Sequence, residues 1–283
     1  MNLMIPQPAQ LWKNLRQIRA LGADDPSRRR LAGSMFQANL KRLHHGWSTL
    51  ANRVLGTKPV DVRLHFPAEM TFHYRPGTTD LLVLEQVFLD GEYHVEPIAP
   101  DSIEYIVDLG SNIGVTAMYW AQRYPRARMV LVEPDQENFA LLQRNTSAFQ
   151  DRCVLLNVAV ADQRGEATFF RSEREYGHSI LKGDDSVSEI RVRTLTVSDV
   201  IEEAGFPRVD LLKMDIEGGE IIVMPTIASW KHAPRYLIAE LHPPYGLRTF
   251  SEHCLSAGLR VAQSPSEGFR TNLPFAAQLS AFS

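Results

Sequence analysis

The sequence predicts an α/β fold: a doubly wound, mostly parallel sheet with an N-terminal helical extension and a β insertion. Hydrophobic residues make up 44% of the 283-residue chain and charged residues 22%, which is typical of globular proteins. After Pro100, short apolar runs alternate with helical segments, as in βαβ units. The predicted strands are 103–109, 129–132, 154–160, 209–214 and 236–241, and the predicted helices between them include 115–123 and 135–148.

Residues 1–58 are predicted to form a basic helical extension. One helix is expected over 11–21, and a second from Ser27 to Leu55, where apolar residues are spaced alternately by four and three. That apolar stripe would pack either on the rest of the chain or on a second copy of it, as a homodimer. The stripe consists of Phe36, Leu40, Leu43, Trp47, Leu50 and Val54.

Residues 59–100 are predicted to form a β-hairpin and a helix that precede the core. Apolar residues alternate in 60–75, as expected for a hairpin, and the helix over 81–89 ends at Gly91. The core then occupies 101–283. Its alternation of strands and helices is interrupted by the expected β insertion, with strands at 167–171 and 190–195.

The charge distribution argues against nucleic acid as a partner. Residues 1–58 carry ten Lys or Arg against two Asp, leaving 20 basic and 31 acidic side chains in the rest. A surface with this excess of acidic side chains binds a polyphosphate poorly. The basic segment would suit an acidic partner, an anionic membrane surface or the acidic remainder of the chain itself.

Cysteine usage and hydropathy predict a cytoplasmic protein. Cys153 and Cys254 lack metal-site spacing and fall in predicted elements, so reduced thiols are expected. We expect no transmembrane segment, since no run of 18 apolar residues occurs. Nor is there an apolar stretch near residue 1 of the kind that secretory signals have.

A glycine-containing loop follows the first predicted core strand. It reads D-x-G-x-N-x-G, with Asp108, Gly110, Asn112 and Gly114 at the defined positions. Glycine permits a tight turn there, and the next helix offers free N–H groups. A dinucleotide site would have a glycine in place of Asn112. A carboxylate at Asp108 would repel a phosphate and attract a cation.

Glu133 follows the second predicted core strand, 23 residues after Gly110. An acid at about this spacing binds ribose hydroxyls in nucleotide-binding folds. Alternatively, Glu133 is an acid favoured at a helix start, because Pro134 opens the next helix. Taken together, the two motifs indicate a cofactor with a nucleoside at one end and an ammonium at the other, as in S-adenosylmethionine.

Five segments resemble FkbM-type methyltransferases, in the order found in that family: VDLGSNIGVTA, VEPDQENFALLQRN, NVAVAD, TLTVSDVI and LLKMDIEGGE. The resemblance covers about residues 80–240. It implies a class I methyltransferase (Rossmann-like) fold, S-adenosylmethionine as methyl donor, and a hydroxyl of a sugar or natural product as acceptor. The cofactor-binding residues that it implies are Asp108, Gly110, Asn112, Gly114 and Glu133, with Asn157 and Ala159 lining the adenine.

Charged residues follow two strands at the edge where the cofactor is expected. Asp215 and Glu217 come after Leu211 and Leu212, while Glu240 and His242 end the next strand. Period-two alternation predicts that these side chains converge beside the methyl donor. A hydroxyl acceptor must lose a proton, so either a carboxylate or His242 is the general base, or Asp215 and Glu240 hold Mg²⁺. Glu217 has the alternative of a structural acid at a helix start.

Three other functions fit the sequence less well. The first is a non-catalytic binding protein that keeps the fold, which the presence of Asp108, Glu133 and Asp215 disfavours. The second is a nucleotide-dependent oxidoreductase, which would need the missing middle glycine. The third is amino-methylation of nucleic acid, suggested by the sequence HPPY at 242–245, but a histidine there replaces the required Asp or Asn.

Overall fold

A computed structural model describes residues 16, 19, 21–43, 58–65, 69–94, 98–172, 181, 186–262 and 275–278. The chain divides into two compact units, Met1–Gly91 and Glu92–Ser283. The three-part domain division expected from the sequence stays a prediction.

The described residues of the first unit include two helices and a β-hairpin. Helix α1 (Asp25–Leu43) precedes strands β1 (Val60–His65) and β2 (Glu69–Tyr74), and helix α2 (Asp80–Phe88) follows them. The strands pair antiparallel, so the predicted hairpin and the helix after it are confirmed.

Helix α1 packs against the hairpin through backbone and side-chain contacts. The N–H of Arg63 donates to the hydroxyl of Ser27 at 2.9 Å, and the hydroxyls of Ser34 and Tyr74 lie 2.9 Å apart. Leu31 is buried with them. The first part of the predicted helix over 27–55 is therefore present and docks on its own unit.

Most of the predicted N-terminal extension lies outside the described residues. That holds for 44–57, for the side chains of 36–43, and for most of the predicted helix over 11–21. Dimerisation through the apolar stripe stays a prediction for this reason.

The second unit is built on a seven-stranded sheet. The strands described in this unit are β3 (Tyr105–Leu109), β4 (Arg128–Val132), β5 (Cys153–Leu156), β6 (Ala159–Val160), β7 (Gly165–Ser172), β8 (Ser186–Leu195), β9 (Leu211–Met214), β10 (Tyr236–Ala239), β11 (Leu259–Ala262) and β12 (Phe275–Gln278). The order in the seven-stranded sheet is β11-β12-β10-β9-β3-β4-β5. The helices described in this unit are α3 (Val115–Arg123), α4 (Gln136–Asn145), α5 (Val197–Ala204), α6 (Glu220–Val223) and α7 (Leu247–Ser256).

The direction of sheet growth reverses beside β3. Strands β4 and β5 extend the sheet on one side of β3, and β9 and β10 extend it on the other, all in parallel. Strand β12 is antiparallel to both β10 and β11. The predicted doubly wound, mostly parallel sheet is confirmed. In such sheets, ligands bind at the carboxyl ends of the strands next to the reversal point.

The strand predicted over 154–160 is wrong as a single element. Strand β5 ends at Leu156, and β6 belongs to a separate three-stranded sheet of order β6-β8-β7. Between them, the Asn157 amide donates to the carbonyls of Glu133 and Pro134, which takes the chain out of the main sheet. The predicted insertion is confirmed as the antiparallel pair β7–β8.

The two faces of the main sheet differ in chemistry near its carboxyl edge. On one face, Val107, Leu212 and Met214 pack in one apolar cluster with Val200 of α5. Because side chains alternate along a strand, the opposite face carries Ile106 and then Asp108 on β3. Asp108 lies in register with Lys213 on β9, so this face buries an opposite-charge pair.

Within the described part of the chain, no helix combines the length and apolar character needed to cross a membrane.

The start of β3 depends on a buried carboxylate, Asp210. Its Oδ2 accepts from the backbone N–H groups of Glu104 at 2.8 Å and Tyr105 at 3.0 Å. We expect Asp210→Ala to lower the free energy of unfolding by about 1–3 kcal/mol, because two backbone donors lose their acceptor. Urea denaturation measures this loss.

Asp101→Ala is the matched control. Asp101 pairs with Arg126 at 2.8 Å, but both side chains are largely exposed, so the change should cost less than about 1 kcal/mol. Equal losses for the two variants would contradict the role assigned to Asp210.

Candidate active site

Two chain segments meet at the carboxyl edge of the sheet, where β3 and β9 end. Gly110 adopts a φ of +83°, and a Cβ at this position would lie 1.7 Å from the carbonyl oxygen of Asp215. No residue with a side chain fits that space. Gly110 therefore allows the loop after β3 and the turn after β9 to lie in direct contact.

Glu133 holds the loop after β3 to the start of α4. Its Oε2 accepts from the backbone N–H of Asn112 at 2.9 Å, and its Oε1 accepts from that of Asp135 at 2.8 Å. Burial raises the pKa of the Glu133 carboxyl to about 8, despite these two hydrogen bonds. Glu133 thus fixes the position of the loop after β3 through these two hydrogen bonds. Its predicted contact with a ribose stays a prediction.

Asn112 and Gly114 complete the turn into α3. Both have positive φ, +51° for Asn112 and +89° for Gly114, the residue before the first turn of the helix. A Cβ at Gly114 would lie 2.8 Å from Cδ1 of Leu142, so glycine also permits close packing against α4. The conformation of the loop thus explains why these residue types occur at three of the predicted cofactor positions, Gly110, Asn112 and Gly114.

Asp108 is fully buried beneath this loop, where it contacts a cation of the protein itself. Lys213 donates from Nζ to Asp108 Oδ1 at 3.1 Å. Burial raises the pKa of Asp108, although Lys213 opposes the shift. The sequence indicated a cation at Asp108, and Lys213 occupies one of its oxygens; contact with a bound ligand stays a prediction.

The two residues expected to line the adenine lie in different environments. Asn157 is exposed beside Glu133, to whose carbonyl it donates at 2.8 Å. Ala159 is buried in a small apolar cluster with Phe169 and Val192 of the three-stranded sheet.

The four predicted acceptor-side residues do come together. One ligand atom from each of Asp215, Glu240 and His242 lies within 4.8 Å of the others, a grouping that could hold a metal ion. Glu217 Oε2 lies 3.2 Å from Nε2 of His242. The convergence expected from strand alternation is therefore observed, while the roles of these residues stay predictions.

Burial and the neighbouring carboxylates shift the pKa values of Glu240 and His242. Burial, followed by the nearby Asp215 carboxylate, raises the pKa of Glu240 to about 7. Burial alone would lower the pKa of His242, but hydrogen bonds to Glu217 and Glu220 outweigh it and raise the value to about 11. His242 is therefore an imidazolium at neutral pH.

Two residues at the site were not among the sequence predictions. Glu220 is fully buried and accepts at Oε1 from the N–H of Ile216 at 3.1 Å and from His242 Nδ1 at 3.3 Å. Tyr93 donates its hydroxyl to Oδ2 of Asp215 at 3.4 Å. Glu220 is the last residue of LLKMDIEGGE, so this motif could have identified it as a site residue. Tyr93 lies before the predicted core, in a segment with no motif that would have indicated it.

Residues 108–255 match the family model described as the methyltransferase FkbM domain. The chain belongs to this family. The matched region contains the site residues from Asp108 through His242, while Tyr93 lies before it. The resemblance expected from the five sequence segments is thus confirmed, and so is the class I methyltransferase (Rossmann-like) fold that it implies.

Curated relatives are similar at low identity. Methyltransferase 1 of Beauveria bassiana is 27% identical over 161 residues, which are 50% of this chain and 64% of that protein. Methyltransferase sdnD of Sordaria araneosa is 27% identical, over 59% and 76%. The 2-O-methyltransferase NoeI of Sinorhizobium fredii is 31% identical, over 43% and 55%. The matched region thus spans less than two thirds of two of these relatives.

The protonation of His242 can be measured directly. Its pKa is raised from 6.5 to about 11, so the stabilisation it contributes is complete below pH 6.5 and is lost as pH rises through about 11. We expect the His242 Cε1–H signal in NMR spectra to keep its imidazolium position from pH 6.5 to 9. The signal is assigned by its absence in His242→Gln.

The urea-unfolded chain is the control, because its histidines should titrate near the ordinary value of about 6.5. A folded-state midpoint near that value would show that Glu217 and Glu220 do not hold the proton on His242.

Proposed function

We propose that the protein is an S-adenosylmethionine-dependent O-methyltransferase whose acceptor is a hydroxyl of a sugar, glycan or small natural product. The convergence of Asp215, Glu240 and His242 beside the Gly110 loop carries this proposal. Family membership supports methyl transfer, and the 2-O-methyltransferase among the relatives supports oxygen as the acceptor atom.

The residues present fit the ammonium end of S-adenosylmethionine. Among the described residues, Asp108 Oδ2, Asn112 Oδ1 and Asp215 Oδ1 are buried and accept no hydrogen bond. Buried acceptors without donors are costly, and a ligand that brings N–H groups would satisfy them. We assign cofactor binding to the loop of Gly110, Asn112 and Gly114, with Asp108 and Glu133 beneath it.

The bound cofactor would supply an electrophilic methyl group on a sulfonium. The task of the protein is to align the acceptor oxygen with that methyl and to remove the hydroxyl proton. A general base must begin deprotonated, and His242 as an imidazolium does not meet this condition. Glu240, with a pKa near 7, is suited to accept a proton at neutral pH, and Asp215 beside it supplies negative charge.

His242 and Glu217 then have a supporting role. Glu220 fixes the imidazolium through Nδ1, and Glu217 contacts Nε2, so His242 joins the turn after β9 to the end of β10. Its positive charge partly offsets the neighbouring carboxylates. We propose that Glu217 and His242 position the acceptor-side residues Asp215 and Glu240 and balance their charge.

A divalent cation at Asp215 and Glu240 is a second candidate for activating the acceptor. Carboxylate oxygens suit Mg²⁺, and the 4.8 Å grouping favours such a site. The proton on His242 disfavours that residue as a third ligand, because a metal-bound imidazole is neutral. In this version Asp215 and Glu240 would hold the ion, which would lower the pKa of the acceptor hydroxyl.

The rival functions are less well supported. An oxidoreductase site would have a glycine where Asn112 stands. A binding protein without catalysis would have no use for a carboxylate with a pKa near 7 at the site. A cytoplasmic location, a small-molecule acceptor in place of nucleic acid, and a homodimer remain proposals.

Cofactor binding tests the proposal first. We expect S-adenosylhomocysteine to bind the purified protein in isothermal titration calorimetry, and NAD not to bind. Glu133→Ala should weaken the binding of S-adenosylhomocysteine about tenfold or more, because the N–H of Asn112 loses its acceptor. Glu252→Ala, on the surface of α7, is the control and should change nothing. Binding of NAD alone would overturn the proposal.

Asp215→Asn tests the acceptor side. This change keeps the shape and an acceptor oxygen for the cofactor but removes the negative charge, so we expect turnover to fall about 100-fold while S-adenosylhomocysteine still binds. Transfer of a radiolabelled methyl from S-adenosylmethionine to hydroxylated small molecules measures turnover. Asp101→Asn, an exposed acid, is the control. Full activity of Asp215→Asn would show that the acceptor side lies elsewhere.

The same assay separates the two versions of the mechanism. With Mg²⁺ at Asp215 and Glu240, a chelator abolishes turnover and added Mg²⁺ restores it. With Glu240 acting as base, the wild-type rate does not change with chelator.

A further inference from the structure

A single buried ammonium joins the three chain segments that form the site. Lys213 is 2% exposed and lies on β9 in register with Asp108 on β3. Its Nζ donates to Asp108 Oδ1 at 3.1 Å and to the carbonyl oxygen of Gly110 at 2.8 Å. Oδ2 of Asp215 lies 3.9 Å from the same nitrogen. Lys213 therefore faces the strand end, the cofactor loop and the acceptor-side carboxylate together.

Tyr93 encloses this ammonium from the remaining side. Lys213 Nζ lies 5.4 Å from the centre of the Tyr93 ring, within the range of a cation–π contact. The hydroxyl of Tyr93 donates to the same Asp215 oxygen that faces Lys213, and its ring packs edge-on against Trp120. Tyr93 is itself buried, so water has little access to the charge.

The contact with Gly110 goes beyond what charge balance requires. A buried ammonium has three N–H donors, and Asp108 accepts from only one of them, so Lys213 needs a further acceptor. The shorter of its two hydrogen bonds goes to the backbone carbonyl of Gly110, which ties that acceptor role to the loop. That carbonyl belongs to the residue with φ +83° that touches Asp215, so its orientation sets the path of the loop.

We infer that Lys213 is a positioning residue for the cofactor: its ammonium fixes the Gly110 carbonyl and, through it, the loop that binds S-adenosylmethionine. The same charge holds Asp108 and Asp215 on either side of that loop. This inference rests on the proposed function, since it assigns the loop to the cofactor.

A charge-balanced pair of variants separates this role from simple stabilisation. Lys213→Met alone leaves Asp108 buried without its cation and should lower Tm by about 10 °C. Asp108→Asn combined with Lys213→Met removes both charges, and its Tm should return to within a few degrees of the wild-type value. Differential scanning calorimetry measures both.

Affinity for S-adenosylhomocysteine is the deciding measurement. In Asp108→Asn the Lys213–Gly110 bond remains, whereas the double variant lacks it. We expect the double variant to bind about tenfold more weakly than Asp108→Asn in isothermal titration calorimetry. Comparing these two variants removes any contribution of the Asp108 charge itself.

The matched control is the exposed pair of Lys231 and Glu202, whose closest atoms lie 3.4 Å apart. Glu202→Gln combined with Lys231→Met should leave both Tm and affinity unchanged. If the Asp108→Asn, Lys213→Met protein binds as tightly as Asp108→Asn, the inference about Lys213 is wrong and the proposed function stands. If the wild-type protein does not bind S-adenosylhomocysteine, the proposed function itself fails.

Discussion

The backbone of Gly110 approaches the Asp215 carbonyl so closely that a Cβ on Gly110 would lie 1.7 Å from the oxygen. This contact depends on the parallel pairing of β3 with β9, which brings two strand ends to the same point of the sheet edge. The loop that we assign to the cofactor and the turn that carries Asp215 are therefore neighbours. Any side chain at Gly110 would separate them.

Packing so many acids at one edge requires cations inside the protein. Buried Lys213 balances the negative charges of Asp108 and Asp215. His242, which is less buried, balances those of Glu217 and Glu220. Burial of these carboxylates favours their neutral forms, while each cation favours the charged forms. The resulting balance leaves Glu240 with a pKa near 7, the range in which a carboxylate can exchange a proton at neutral pH.

For three residues with a predicted cofactor contact, the structure shows a contact within the protein that the sequence did not indicate. Asp108, expected to face a ligand cation, pairs with Lys213. Glu133, expected at a ribose, accepts from two backbone N–H groups. Ala159, expected at the adenine, packs with Phe169. Lys213 lies 105 residues from Asp108, and Asn112 lies 21 residues from Glu133; single-sequence patterns carry no information about which distant residue is nearest.

The sequence by itself determined the alternation of strands and helices, the glycine-containing loop, the family, and the convergence of Asp215, Glu240 and His242. The alternation and the convergence follow from local periodicity and from the rule that parallel strands end at one edge. The family follows from the five segments that resemble it. Only the tertiary structure decided that β5 and β6 separate, that Tyr93 reaches Asp215, and that Glu220 holds His242. Those contacts depend on strand order and side-chain geometry, because the distances and burial that set hydrogen bonds and charges exist only after folding.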